Sequence, residues 1–299
     1  MTTDLNHKAS RCARMLRPAS LAVLAPLLAI AGGCTKPHRA HDHISLTSDA
    51  PGERLLVKNH VGDVRIIADP SATTIRAEIT RVGRGTSPAE AQRAREEITV
   101  DLAASKDEPG AVLARARHPH SGHTRDYEVD WRITAPPNIA VRVVCDIGDV
   151  TVKSIARPVE IKTDIGDTHV YDARAGLIVT VDVGDIHASA AGVIRLRSDV
   201  GDVRLRVLPD AAGAVTASSD VGDIVADLPV SRRGLLSATT GVGDVRIRLE
   251  NVLMNKYHQR NNFVTAELGG DAEPPIEFSS DVGDVVIRTY NPTENPSPK

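Results

Sequence analysis

Two files of aspartate carry whatever chemistry this sequence offers. One file follows a glycine each time: Asp63, Asp149, Asp167, Asp185, Asp202, Asp223, Asp244 and Asp284. The other stands three residues earlier: Asp146, Asp164, Asp182, Asp199, Asp220 and Asp281. Carboxylates three apart could act as acid and base, or several could surround a calcium ion. Catalysis needs one special constellation, whereas these pairs recur in nearly every repeat, so no catalytic residue is assigned. Calcium rolls of repeat toxins use a Gly-Gly-x-Gly-x-Asp nonapeptide. Here one Gly-Asp falls every 17 to 21 residues through most of the array. Two carboxylates about 4.8 Å apart in water repel by only about 0.9 kcal/mol, so a file is tolerable if each member works locally. The reading adopted is structural: aspartate caps its own turn by accepting a backbone N–H, and glycine supplies a positive φ. No metal and no cofactor is expected. His41 and His43, and the run His118, His120 and His123, are placed in solvated segments. No phosphate loop, HExxH, zinc spacing or Ser-His-Asp set is present.

The elements that position these aspartates follow from the repeat itself. The glycines are Gly62, Gly148, Gly166, Gly184, Gly201, Gly222, Gly243 and Gly283, at steps of 86, 18, 18, 17, 21, 21 and 40. Two before each aspartate stands a β-branched residue, from Val61 and Ile147 to Val242 and Val282. Six and eight before it the columns are apolar again, for example Ile161 and Val159, or Leu196 and Ile194. A step of two is the strand period, so all these columns are expected on one inner face. The column four before, Cys145, Thr163, Val181, Ser198, Ser219, Thr240 and Ser280, should face the same way. Two after the aspartate the residue is often basic, as at Arg65, His169, His187, Arg204 and Arg246. A second glycine, Gly176, Gly192, Gly213 or Gly234, marks the other turn.

The pattern predicts an all-β chain: a parallel β-solenoid (β-helix) of 17–21-residue coils over residues 141–290, wound right-handed. An insertion at 250–275 is expected as a loop or an irregular coil, and 291–299 as a polar tail. Residues 45–140 read as N-terminal strands and a cap. Its one short helix, 88–98, begins at the capping box Ser87-Pro88-Ala89-Glu90. Trp131 alternates with Tyr127, Val129 and Ile133 and is expected in the core.

Composition narrows the functional classes. The chain has 299 residues, 41% apolar and 25% charged, enough for a core, and a net charge of -3 offers nucleic acid no general attraction. Only 4 Tyr, 2 Phe and 1 Trp argue against an aromatic platform for bases or sugars. Lys8, Arg11, Arg14 and Arg17 precede the uncharged run Ala19 to Ala31, which closes on Ile30-Ala31-Gly32-Gly33-Cys34. That is a basic region, an apolar region and small residues before a cysteine, and it resembles the lipobox of bacterial lipoprotein signal peptides. The resemblance implies cleavage after residue 33, lipid attachment at Cys34 and a polar tether over 34–44. Thr35 at the next position resembles lipoproteins sorted to an outer membrane, if the host is Gram-negative. Cys145 is then left without a cysteine partner.

The repeats, together with the strand Val129-Asp130-Trp131-Arg132-Ile133-Thr134-Ala135-Pro136 that precedes them, resemble a candidate-adhesin family of bacterial envelope proteins, a domain of unknown function. The likeness spans about residues 45 to 290. Family repeats often read Ser-Gly-Asp, whereas all eight here carry Val or Ile before the glycine. What the resemblance implies is a non-enzymatic envelope lipoprotein, held to the membrane through lipid on Cys34, that binds or scaffolds an unknown envelope protein or glycan. The alternatives are a calcium-binding β-roll and a polysaccharide-acting β-helix enzyme.

Overall fold

The computed structural model describes residues 37–49, 52–118, 127–270 and 273–293. The signal segment 1–33, Cys34, His120 and His123 lie outside the described residues. Among the described residues the fold is all-β with one short helix. Among the described residues the strands form two sheets, one of eleven strands and one of twelve. The chain changes sheet at each Gly-Asp. Val159–Ile165 lies in the twelve-stranded sheet, Gly166-Asp167 forms the corner, and Thr168–Ala173 lies in the other sheet.

Successive repeats pair in parallel, without slippage in the twelve-stranded sheet and with one register shift in the other, between Val170 and Ala173. Val159, Ile161 and Thr163 stand opposite Leu177, Val179 and Val181, which stand opposite Ile194, Leu196 and Ser198. A slip of one residue would turn these buried aliphatics to solvent, so the apolar columns hold the register. Each fully buried aliphatic side chain contributes about 1.5–3 kcal/mol. A core of Val, Ile, Leu and Ala fits between two sheets, with Trp131 and Phe278 as its largest fully buried side chains.

Spatial order departs from chain order at both ends. Arg54–Val61 pairs directly with Ala140–Ile147, so the corner at Gly62 abuts the one at Gly148 despite the 86-residue step. The intervening chain supplies Ala111–Arg117 and Tyr127–Ala135, which extend the two sheets in parallel beyond Arg54–Val61 and Val64–Ala68. At the other end Pro275–Val282 pairs with both Val215–Val221 and Gly234–Val242. The last repeat in sequence therefore sits between the two before it. The expected loop or irregular coil at 250–275 is instead an antiparallel hairpin, Met254–Arg260 with Phe263–Leu268, added to the edge beside Gly234–Val242.

Residues 38–44, expected as tether, belong to a strand. His38–Ser48 pairs antiparallel with Ile75–Gly85 over its whole length. Its polar composition disguised it, because only Ile44 and Leu46 pack against the core and Asp42 is held by a two-pronged Arg81 contact at 2.6 and 3.0 Å. The helix spans Pro88–Glu97, and Ile98 is its buried C-cap rather than its last turn. Ser87 Oγ accepts the Glu90 N–H at 3.3 Å, while the Glu90 carboxylate reaches back to accept the Thr86 N–H at 2.9 Å. The helix backbone rests on Gly83, where a Cβ would stand 2.3 Å from the Ala91 carbonyl. Among the described residues no helix is long and apolar enough to cross a membrane.

Candidate functional site

The Gly-Asp corners line up in one file. Each aspartate serves the neighbouring repeat, not its own turn. The Asp149 N–H donates to Asp63 Oδ1, the Asp167 N–H to Asp149 Oδ1, and so on through Asp185, Asp202 and Asp223. The chain of bonds then runs to Asp284 and ends at Asp244, following spatial order, and every link measures 2.8–3.0 Å. The expected Asx turn is thereby corrected. Parallel stacking brings the next repeat's amide within reach, and the side chain bridges repeats. One member was missed: Asp130, whose Oδ1 accepts the Asp63 N–H at 3.0 Å and opens the file. The signal was available as Val129-Asp130-Trp131, a Gly-Asp-Val phrase with valine in place of glycine and tryptophan in place of valine. Burial, aided by the charges of Glu128 and Asp63, raises the Asp130 pKa against the pull of that N–H.

Glycine is required because the corners touch. At Gly184, φ is +148° and a Cβ would stand 2.2 Å from the Gly166 carbonyl oxygen, and the same clash repeats along the file. That carbonyl is also an acceptor. Ser198 Oγ donates to Gly184 O at 3.0 Å, Ser219 to Gly201 at 2.9 Å, Ser280 to Gly222 at 2.9 Å and Thr240 to Gly283 at 2.7 Å. Asn59, in the same column, donates to Gly62 O and Val129 O and accepts from the Trp131 indole. Cys145 occupies this column too, its Sγ 3.6 Å from Gly62 O. Burial first, then the nearby aspartates, pushes its thiol pKa up to about 12. The amides of Gly148 and Val150 donate to the Ile165 and Asp167 carbonyls of the next repeat. The corner thus meets its backbone hydrogen-bonding needs within the stack, as buried polar groups must.

The β-branched column before the glycine does not face inward. Ile147, Ile165, Val183, Val200, Val221, Val282 and Val242 are exposed, Ile165 by 51% and Val242 by 67%. The strand alternation ends at the column four before the aspartate. The chain then bends at the corner, and both following side chains point out. An aliphatic ridge therefore runs along the corner between the two aspartate files. Bases partly neutralise those files: Arg246 bridges Asp244 and Asp284 at 3.1 and 2.9 Å, and Arg197 bridges Asp199 and Asp220. At the opposite corner the buried Arg232 guanidinium donates to the Ala211 and Gly213 carbonyls, both at 2.6 Å.

Every aspartate Oδ1 of this file except that of the terminal Asp244 is thus committed to an amide. Among the described residues no three of His, Cys, Asp or Glu gather where they could hold a metal ion. His43 Nδ1 lies 3.0 Å from the Thr80 hydroxyl, and His118 stacks on Tyr127.

No family model matches the chain, and no curated protein matches it. Among solved structures it is similar to a candidate cell adhesion protein from Clostridium sporogenes, at 13% identity and a TM-score of 0.36, over 85% of this chain and all of that one. It is also similar to a candidate adhesin from Bacteroides fragilis, at 16% identity and a TM-score of 0.41, over 83% of this chain and 97% of that one.

Proposed function

We propose that the chain is a non-enzymatic, lipid-anchored protein of the cell envelope, built as a parallel β-solenoid with an N-terminal cap around its one short helix. It acts as an adhesin-like binding or scaffold module. The observation that carries this reading is the commitment of the whole Gly-Asp corner to holding one repeat on the next. Residues so occupied serve the stack, and the work on partners falls to the outer faces, the aliphatic ridge and the terminal hairpin. Cys34 supplies the lipid anchor, in the outer membrane if the host is Gram-negative, and the partner is an envelope protein or glycan rather than nucleic acid.

Melting the purified full-length protein with and without millimolar Ca²⁺ tests the reading against a calcium roll, where a bound ion would stabilise the fold by mass action. The melting temperature is expected to stay put, and a rise of several degrees would sink the module in favour of the roll. Glycan cleavage abolished by changing one aspartate would instead establish an enzyme. A pull-down from envelope extract identifies the partner.

A further inference from the structure

The outer face of the eleven-stranded sheet is hollowed into a groove of about 920 Å³, bordered on one side by the head of the aspartate file. Six adjacent strands line it, from His38–Ser48 across to Thr168–Ala173. The volume falls within the range of small-ligand sites, about 300–1,000 Å³. Register sets Glu78 beside Arg132, Arg132 beside Arg65, and Arg65 beside Thr151. Like charges directly opposite each other are destabilising in a sheet. Among the described residues no salt bridge joins Arg65 or Arg132 to a carboxylate. The next outward row holds Lys153 and Tyr171, also register partners. The Lys153 ammonium stands 4.7 Å from the centre of the Tyr171 ring, and that tyrosine is 38% exposed. Asp130 and Asp149 line the groove on the corner side.

Three kinds of group therefore converge. Two adjacent guanidiniums suit a planar carboxylate, which arginine holds with paired N–H donors. The Tyr171 ring, with the Lys153 ammonium over it and His169 stacked alongside at 6.3 Å between ring centroids, offers a flat apolar face to the C–H side of a pyranose once that ammonium swings to the carboxylate. Carboxylates accept hydroxyl donors. A polyphosphate would meet Glu78, Asp130 and Asp149 as repulsion, and a neutral sugar would leave the guanidiniums desolvated without a partner. A sugar bearing one carboxylate and several hydroxyls suits all three. We infer that this groove binds an acidic glycan containing uronic acid residues, with Arg65 and Arg132 on the carboxylate and Tyr171 beneath a ring. The inference rests on the binding-module reading and names its ligand class. One exposed ring suffices for one sugar, so the small number of aromatics is no obstacle.

Titration calorimetry on the full-length protein tests it, using oligomers of galacturonate, glucuronate and mannuronate, a neutral galactose oligomer of equal length and a single-stranded DNA oligonucleotide. At least one uronate oligomer should bind, with the neutral oligomer and the DNA at least about tenfold weaker. The double change Arg65→Gln and Arg132→Gln should weaken uronate binding by about tenfold or more at an unchanged or raised melting temperature, since it removes a like-charge pair, and Tyr171→Ala should weaken binding as well. Silence from all three uronates, equal binding of the neutral oligomer or of DNA, or indifference to the double change would each overturn the proposal. If the titrations are silent while a partner is still recovered from envelope extract, the groove proposal fails alone. Hydrolysis of the oligomers would overturn the module reading beneath it.

Discussion

At the corner, single atoms decide what each position tolerates. Gly184→Ala would add a Cβ 2.2 Å from a backbone oxygen at a φ of +148°. Strain of this kind costs about 1–3 kcal/mol before the clash is counted. Gly110 also has a positive φ, +78°, but nothing lies within 4 Å of its would-be Cβ. Chemical denaturation should therefore show Gly184→Ala losing clearly more than about 3 kcal/mol and Gly110→Ala about 1–2. Cys145 offers a second measurement. With its pKa pushed up to about 12 by burial, the native thiol should resist alkylation at pH 8 and react only on unfolding. The native state keeps this proton to higher pH than the unfolded chain, whose thiol titrates near 9.0. Stability should accordingly fall as pH rises from about 9 toward 12, by about 1.4 kcal/mol per pH unit from this group, as denaturation at a series of pH values would record.

Within one strand, position relative to the bend outweighs residue type. Leu196 and Val200 are both aliphatic and four apart in Ile194–Val200, a spacing that would put both on one face of an unbent strand. Leu196 is 2% exposed, whereas Val200 lies beyond the last inward position and points to solvent. Leu196→Ala should cost about 2–5 kcal/mol through the cavity it leaves, and Val200→Ser less than about 1, read from paired denaturation curves. Equal losses would mean that the ridge is packed after all. The alternating columns were legible in the sequence because buried aliphatics must recur at the strand period. The outward turn of the last one was not, since it depends on where the corner bends. The N-terminal strand His38–Ser48 was hidden for a related reason. Its support comes from backbone pairing with Ile75–Gly85 and from the Arg81–Asp42 contact, and neither leaves a hydrophobic pattern.

Across the whole molecule, stability is distributed along the stack. Interior repeats have neighbours on both sides, whereas Met254–Arg260 is paired on one side only and exposed throughout. Hydrogen exchange should proceed first through that hairpin strand and last through the middle repeats around Leu177–Val183, since each repeat draws its protection from its neighbours. Uniform protection from end to end would contradict this. The sequence by itself determined the all-β class, the eight Gly-Asp corners and the aliphatic core, because period-two burial and a glycine-only conformation are local demands that a chain must write into its residues. Tertiary structure alone decided that each aspartate bonds to the next repeat and that Asn59 joins the corner. It also decided that the last repeat slots between its two predecessors and that Arg65, Arg132 and Tyr171 share a groove. These are facts about which strands become neighbours, and several strand orders satisfy the same alternating pattern, so only the packed chain selects one.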